Sequence, residues 1–226
     1  MPAITTNTMV RNEGFWIGYV LDSVLAEADH VLITDTGSTD NTVDIIEDAI
    51  KRSGRNDVKF EIIPVTTGVG VTVVRNRMLQ LTPTDWLLLV DGDEIYPASA
   101  IREIRDAEFP SNGRLGFTNM NMVRREEDAW WLAEAYSRCS LYYKPGMTWT
   151  GDYPWEWPSW WESGEGRFYL PAFKELALDF HHIPRSSNEQ GLVHRRGTRP
   201  LQPLRERLEL PLDLNRWPNP FSDRSE

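Results

Sequence analysis

Cysteine is nearly absent: Cys139 is the single one in 226 residues, so no intrachain disulfide can form and a reducing compartment is expected. No apolar run approaches the ~20 residues of a membrane helix. The opening stretch MPAITTNTMVRNEG has no basic-then-apolar leader. The expectation is a soluble, cytoplasmic protein with no transmembrane segment. Positive charge is also short. There are 24 Lys and Arg against 34 Asp and Glu, a net charge of -10, which argues against a surface built for nucleic acid. Histidine is scarce at four, and two of these, His181 and His182, are adjacent. Internal repeats and low-complexity segments are missing. What is present, 40% hydrophobic and 26% charged residues, is the composition of a globular chain with a real core, and the length suits one domain. The basic residues are uneven. His194, Arg195, Arg196, Arg199, Arg205 and Arg207 crowd the C-terminal stretch, where a solvated helix face is the plain reading.

The first half alternates helical and strand patterns. Residues 12–28 carry Trp16, Val20 and Val24 or Ala28 at helical spacing, with Asn12 as N-cap. HVLITD (30–35) reads as a buried strand, and in the turn TGSTDNT (36–42) Ser38 or Thr39 caps a helix over 43–53. A strand follows at 58–65, then a glycine-bearing loop and helix over 67–81. DWLLLVD (85–91) is apolar on both faces, as a central parallel strand is, and Pro97 opens a helix over 97–107. This alternation predicts an α/β fold, a mainly parallel sheet covered by helices. The opening AITTNTMV is polar for a central strand, so a short or shifted element is expected there. Beyond residue 110, strands at 114–123, 139–145, 147–151 and 176–183, with long Trp-rich connections, predict an antiparallel extension. A helical tail is expected over Ser187–Glu209.

The stretch LLLVDGDEIYP (87–97) ends a buried strand on Asp91, Asp93 and Glu94. Like charges so close raise one another's pKa unless something positive sits among them. Asp91 and Asp93, one residue apart, can present two carboxylates to one hard cation, and Gly92 frees the backbone to turn tightly. Ligands of open α/β sheets lie beyond the carboxyl ends of the strands, where Asp35 and Asp91 both fall. A calcium loop needs further ligands at fixed offsets that DGDEIYPASAIRE does not supply. The Gly-Ser turn of polymerase-β-type nucleotidyltransferases sits too far upstream, at 37–38, and haloacid-dehalogenase-like phosphatases use the first strand.

MVRNEG (9–14), ITDTGSTDNTVDII (33–46), GVGVTVVRNRML (68–79) and WLLLVDGDE (86–94), in this order and spacing, resemble the family-two glycosyltransferases of GT-A fold. The resemblance covers about residues 9–105. The DTGSTD opening, followed by a tryptophan-glycine-acid region, is also similar to a subgroup related to lipopolysaccharide-core and peptide glycosyltransferases. Thr36 stands where the family's second acid would be. The resemblance implies a single GT-A domain: a nucleotide-sugar-binding half (1–110), an acceptor-side half (111–186) and the C-terminal tail (187–226).

It further implies a nucleoside-diphosphate sugar donor, UDP-sugar first, a glycan, protein or other hydroxyl acceptor, and Mn²⁺ or Mg²⁺ to neutralise the departing diphosphate. Asp93 would bind the metal directly, and Asp91 the ribose or the metal's outer shell. Asp35 would accept a hydrogen bond from the base, uracil N3–H or a comparable donor of thymine or guanine. Arg75 would reach the phosphates or lock the acidic loop, while Glu13 and Asp40 would shape the nucleotide pocket. The third metal ligand would be His181 or His182. Arg185 and Ser186 would hold a diphosphate oxygen, with Arg195, Arg196 and Arg199 closing over it.

An inverting reaction needs a base for the acceptor hydroxyl. Relatives carry an aromatic-Gly-x-x-His-Glu stretch, whereas this chain has TGDYPWE with no histidine; Glu156, then Asp152, then Glu162 are the acids available. Seven of the ten tryptophans lie between 130 and 161, among them Trp149, Trp155, Trp157, Trp160 and Trp161. Most serve packing, and a sugar-stacking platform is the second reading. Two rival functions share the pattern: a catalytically silent glycan-binding domain of the same fold, and nucleotidyl transfer.

Overall fold

The computed structural model describes residues 2–126, 129–152, 156–159, 166–170, 177–180, 206–208 and 216. In chain order the elements are β1 (Ile4–Val10), α1 (Ile17–Glu27), β2 (His30–Asp35), α2 (Thr42–Ser53), β3 (Lys59–Ile62), α3 (Gly68–Leu81), β4 (Trp86–Leu89), β5 (Glu94–Ile95) and α4 (Ala98–Asp106). The long hairpin β6 (Leu115–Glu126) and β7 (Ala129–Tyr143) follows, then β8 (Trp149–Thr150), β9 (Trp157–Pro158), β10 (Arg167–Tyr169), β11 (Ala177–Phe180) and β12 (Glu206–Leu208). The main sheet runs β3-β2-β1-β4-β7-β6-β11-β5, with β10 on β6 and β12 on β7. Strands β3, β2, β1 and β4 are parallel, and β7 joins β4 antiparallel. The architecture is the expected α/β one, a parallel half extended by antiparallel strands.

Period-two alternation decides which helices cover which face. Ile33, Leu88 and Val90 share one cluster with Trp16, Val20 and Val24 of α1, Ile46 of α2 and Ile101 of α4. Leu32 packs with Val74 and Met78 of α3, while Leu87 and Leu89 meet Tyr142 and Trp149. No helix among the described residues is long and apolar enough to cross a membrane.

Five expectations are corrected. The polar opening strand is neither short nor shifted: β1 runs seven residues between β2 and β4. Of its buried polar side chains, Thr5, Thr6 and Asn7 find partners, while Thr8 Oγ1 has none among the described residues. Thr5 Oγ1 lies 2.7 Å from Thr84 Oγ1, and Asn7 Nδ2 donates to Thr82 Oγ1 at 3.1 Å. Asn12 caps no helix. It sits at φ 52°, in the left-handed region Asn tolerates, and its Oδ1 accepts from Thr39 N at 2.7 Å, while α1 begins five residues later. Ser38 and Thr39 do not cap α2 either; Asn41 occupies that position. Residues 206–208, expected in a helical tail, pair antiparallel with β7 at Trp130, Trp131 and Leu132. Those two tryptophans, expected in a connection, lie inside β7 because the hairpin arm is longer than its apolar pattern. Cross-strand backbone pairing builds that arm across the charged stretch around residue 126.

Candidate active site

The acidic turn follows directly from β4. Glu94 N donates to Asp91 O at 3.0 Å, and Glu94 Oε2 accepts from Asp91 N at 3.1 Å, so the turn is closed through main chain and side chain. Gly92 is required by close approach: a Cβ there would fall 2.6 Å from Val10 Cγ2 and 3.2 Å from Glu13 Cγ. The turn is thereby seated on the end of β1. Asp93 and Glu94 are buried, while Asp91 is partly open.

Positive charge does sit among these acids, and it is guanidinium. Arg75, on the inward face of α3 and 5% exposed, donates from Nη2 to Asp91 Oδ1 at 3.0 Å. Arg138, from β7, donates to Asp91 Oδ2 at 2.9 Å and contacts Glu94 through its other terminal nitrogen. The β4–β7 register explains the placement. Trp86 pairs with Tyr143, Leu87 with Tyr142 and Leu88 with Leu141; continued past β4, the ladder brings Arg138 across from Asp91. Glu156, just ahead of β9, joins from the other side, its Oε1 4.0 Å from Arg75 Nη2. Arg75 Nε and Nη1 and Glu156 Oε2 are buried with no hydrogen-bond partner among the described residues. Among the described residues Arg75 pairs with Asp91 and Glu156, and Arg138 with Asp91 and Glu94.

The hairpin bearing Glu156 is fastened to α3. Asn76 Oδ1 accepts from Trp149 N at 2.8 Å and its Nδ2 donates to Trp149 O at 2.9 Å, while the Thr72 hydroxyl bonds Gly151 O. The Arg75 guanidinium carbon lies 5.9 Å from the Trp149 ring centroid. Asp152, on the same hairpin, is exposed.

The wall beyond β2 is built from the DTGSTD loop. Asp35 is wholly buried; its Oδ1 accepts from Gly37 N at 2.9 Å and Ser38 N at 2.8 Å, and its Oδ2 from the Ser38 hydroxyl. Gly37, at φ 101°, supplies a backbone only glycine adopts readily. Asp40 accepts from Gly14 N at 3.1 Å and Thr42 N at 3.0 Å, and Glu13 N donates to Thr42 Oγ1 at 2.8 Å. Glu13 and Asp40 thus tie the β1 loop to the start of α2.

Carboxylates are the hard oxygen donors that Mg²⁺ and Mn²⁺ take, so Asp91 and Asp93 are of the chemical class that suits a divalent cation. Among the described residues no group of three or more His, Cys, Asp or Glu side chains is arranged to hold one. His181, His182, Arg185, Ser186, Arg195, Arg196 and Arg199 lie outside the described residues, as do Trp155, Trp160, Trp161 and Glu162. The strand before the histidines, β11, pairs with β5 so that Asp179 stands opposite Glu94.

Arg138 is the member of the cluster that reading the sequence missed. Its neighbour Cys139 is buried, and burial pushes the thiol up to about 12. A cavity of about 660 Å³ lined by Trp86, Phe109, Arg114 and Tyr143 opens at the start of β4, the end away from Asp91, and none of the clustered acids lines it.

Residues 8–107 match the family described as glycosyl transferase family 2. The SPbeta prophage-derived glycosyltransferase SunS of Bacillus subtilis strain 168 is 27% identical over 101 residues, 42% of this chain and 21% of the relative. The chain therefore spans about a fifth of the length of this curated relative. Among solved structures, that of TarS from S. aureus is similar over 53% of this chain and 22% of its own, at 20% identity and TM-score 0.42. The mannosyltransferase PcManGT from Pyrobaculum calidifontis, solved with GDP-Man and Mn²⁺, is similar over 55% and 36%, at 20% identity and TM-score 0.40.

Proposed function

We propose, taking the match of residues 8–107 to glycosyl transferase family 2 as the premise, that this protein is a metal-dependent, inverting glycosyltransferase. It moves a sugar from a nucleoside-diphosphate sugar, UDP-sugar first, to a hydroxyl of a glycan, protein or other acceptor. The observation that carries this reading is the acidic turn at the end of β4, where Asp91, Asp93 and Glu94 gather against Arg75 and Arg138.

The roles follow from chemistry. Bound Mn²⁺ or Mg²⁺ would supply Lewis-acid neutralisation of the charge that grows on the leaving diphosphate. Asp93 would hold that ion, with Asp91 behind it and His181 or His182 as a further ligand; the course of β11 beside the turn supports a ligand from there. Arg75 Nε and Nη1 meet no acceptor among the described residues, which supports a phosphate-facing guanidinium. Arg185 would add to it. Asp35, Glu13 and Asp40 would shape the base pocket by fixing the loops around it. Glu156 is the proposed base: its Oε2 is buried with no donor among the described residues, and its hairpin is anchored to the helix that carries Arg75. Asp152 is the second acid on that hairpin. Residues 1–110 form the donor side and 111–186 the acceptor side.

A thermal-shift screen of sugar nucleotides with and without Mn²⁺ tests the reading, because a ligand that binds only the native state raises its melting temperature. Selective, metal-dependent stabilisation by one nucleoside diphosphate, followed by its release from the matching sugar nucleotide, is the expected result. Glycan binding indifferent to metal, or pyrophosphate released from a nucleoside triphosphate, would sink it.

A further inference from the structure

Asp91 is held from two sides by arginines of two different elements. Arg75 of α3 takes Oδ1 and Arg138 of β7 takes Oδ2. Arg138 is largely buried, at 16% side-chain exposure, and its second partner, Glu94, is wholly buried. Glu94 in turn accepts from the amide of Asp91. The guanidinium therefore lies against both acids at the two ends of the turn, Asp91 and Glu94. A planar fork with several donors can span two carboxylates this way; an ammonium, a single point charge, cannot.

We propose that Arg138 is a positioning residue of the acidic turn, holding Asp91 as an arginine-bound acid so that Asp93, and not Asp91, is the acid of the turn that meets the divalent ion. This rests on the transfer reading given above. Arg138 and the cation compete for Asp91 Oδ2, so Arg138 weakens metal binding while keeping the turn in its working geometry. Its removal acts on these two properties in opposite directions. The Arg138→Met variant leaves the turn one positive charge poorer and draws the ion onto Asp91. Affinity for Mn²⁺ rises on the order of tenfold, given the Coulomb energy of a charge a few ångströms away. The turn, no longer pinned to β7, moves by enough to reduce kcat by about 100-fold. Arg138→Lys keeps the charge and loses the fork, so Mn²⁺ affinity stays near that of the parent while kcat recovers in part.

The test is Mn²⁺ titration followed by electron paramagnetic resonance, with and without UDP, on the full chain and both variants. Donor hydrolysis kinetics and thermal melts accompany it. Tighter Mn²⁺ binding with lower kcat in Arg138→Met, reversed in affinity by Arg138→Lys, is the expected result. A purely structural arginine would lower Mn²⁺ affinity, kcat and melting temperature together, and that pattern overturns the proposal, as does a methionine variant unchanged in both properties. If Arg138→Met does not fold, Arg138→Lys decides: reduced kcat at unchanged Mn²⁺ affinity supports the proposal, and unchanged kcat overturns it. A parent protein that binds no Mn²⁺ with any nucleoside diphosphate overturns the transfer reading itself, and this inference with it.

Discussion

Asn76 reads the backbone of Trp149 at both ends, its carbonyl accepting from the amide at 2.8 Å and its amide donating to the carbonyl at 2.9 Å. This two-point contact joins the helix that presents Arg75 to the hairpin that presents Glu156. It makes the distance between those charges a property of the fold rather than of two free side chains. Asn76→Ala is expected to lower stability by about 1–3 kcal/mol, since it leaves buried backbone groups unpaired. It should also open the 149–159 hairpin to proteases. Urea denaturation and limited proteolysis measure the two effects, and a hairpin cut no faster than in the parent would contradict the coupling.

Asp93→Ala is expected to remove Mn²⁺-dependent donor hydrolysis and transfer together. The side chain is buried in the turn, so circular dichroism must show the fold retained before the kinetics are read. Asp93→Asn, which keeps the shape and removes the charge, should lose Mn²⁺ binding as well. Full activity in either variant would refute Asp93 as the metal-contacting acid.

What could be read in advance depended on how local the cause was. The strand-end acids, the DTGSTD loop and Arg75 are set by neighbours close in sequence, and the pattern surrounding them was legible. Asn12 and Ser38 were misread as caps because both residues favour caps and turns alike, and only the contact between the two loops selects the turn. The polar strand β1 was underestimated because Thr82 and Thr84, which satisfy its side chains, come from a loop more than seventy residues away. Arg138 was invisible for the same reason. Its partners arrive through a cross-strand register that composition does not report.

Cys139 supplies a pH test of the core beneath the site. Burial holds its thiol up to about 12 in the folded state, from an ordinary 9.0, and Tyr142 beside it is pushed up too. The unfolded thiol loses its proton first as pH rises, so the unfolded state is favoured there and stability falls. The loss begins near the ordinary thiol pKa and continues towards the folded one, at no more than about 1.4 kcal/mol per pH unit. Cys139→Ala should show a shallower fall between neutral and alkaline pH, measured by urea midpoints. The native thiol should resist alkylation at mildly alkaline pH and react once denaturant is added.

The choice between Glu156 and Asp152 as base is decided by environment. Glu156 is largely buried, 11% exposed, beside Arg75, with one oxygen that meets no donor among the described residues; Asp152 stands exposed to water. A base must meet its proton within hydrogen-bond reach in a place that excludes competing water, and of these two acids the proposed base, Glu156, has the more sheltered place. Glu156→Gln keeps the side-chain volume and removes the acceptor's basicity. It should lower the transfer kcat by about 10²–10⁴-fold while leaving Mn²⁺-dependent UDP binding intact. Asp152→Asn should stay within about threefold of the parent, as a solvated carboxylate outside the charge cluster would. Isothermal titration and single-turnover transfer separate binding from chemistry. Equal losses in the two variants, or a Glu156→Gln protein that no longer binds UDP, would move the base elsewhere and leave Glu156 as a counter-charge to Arg75.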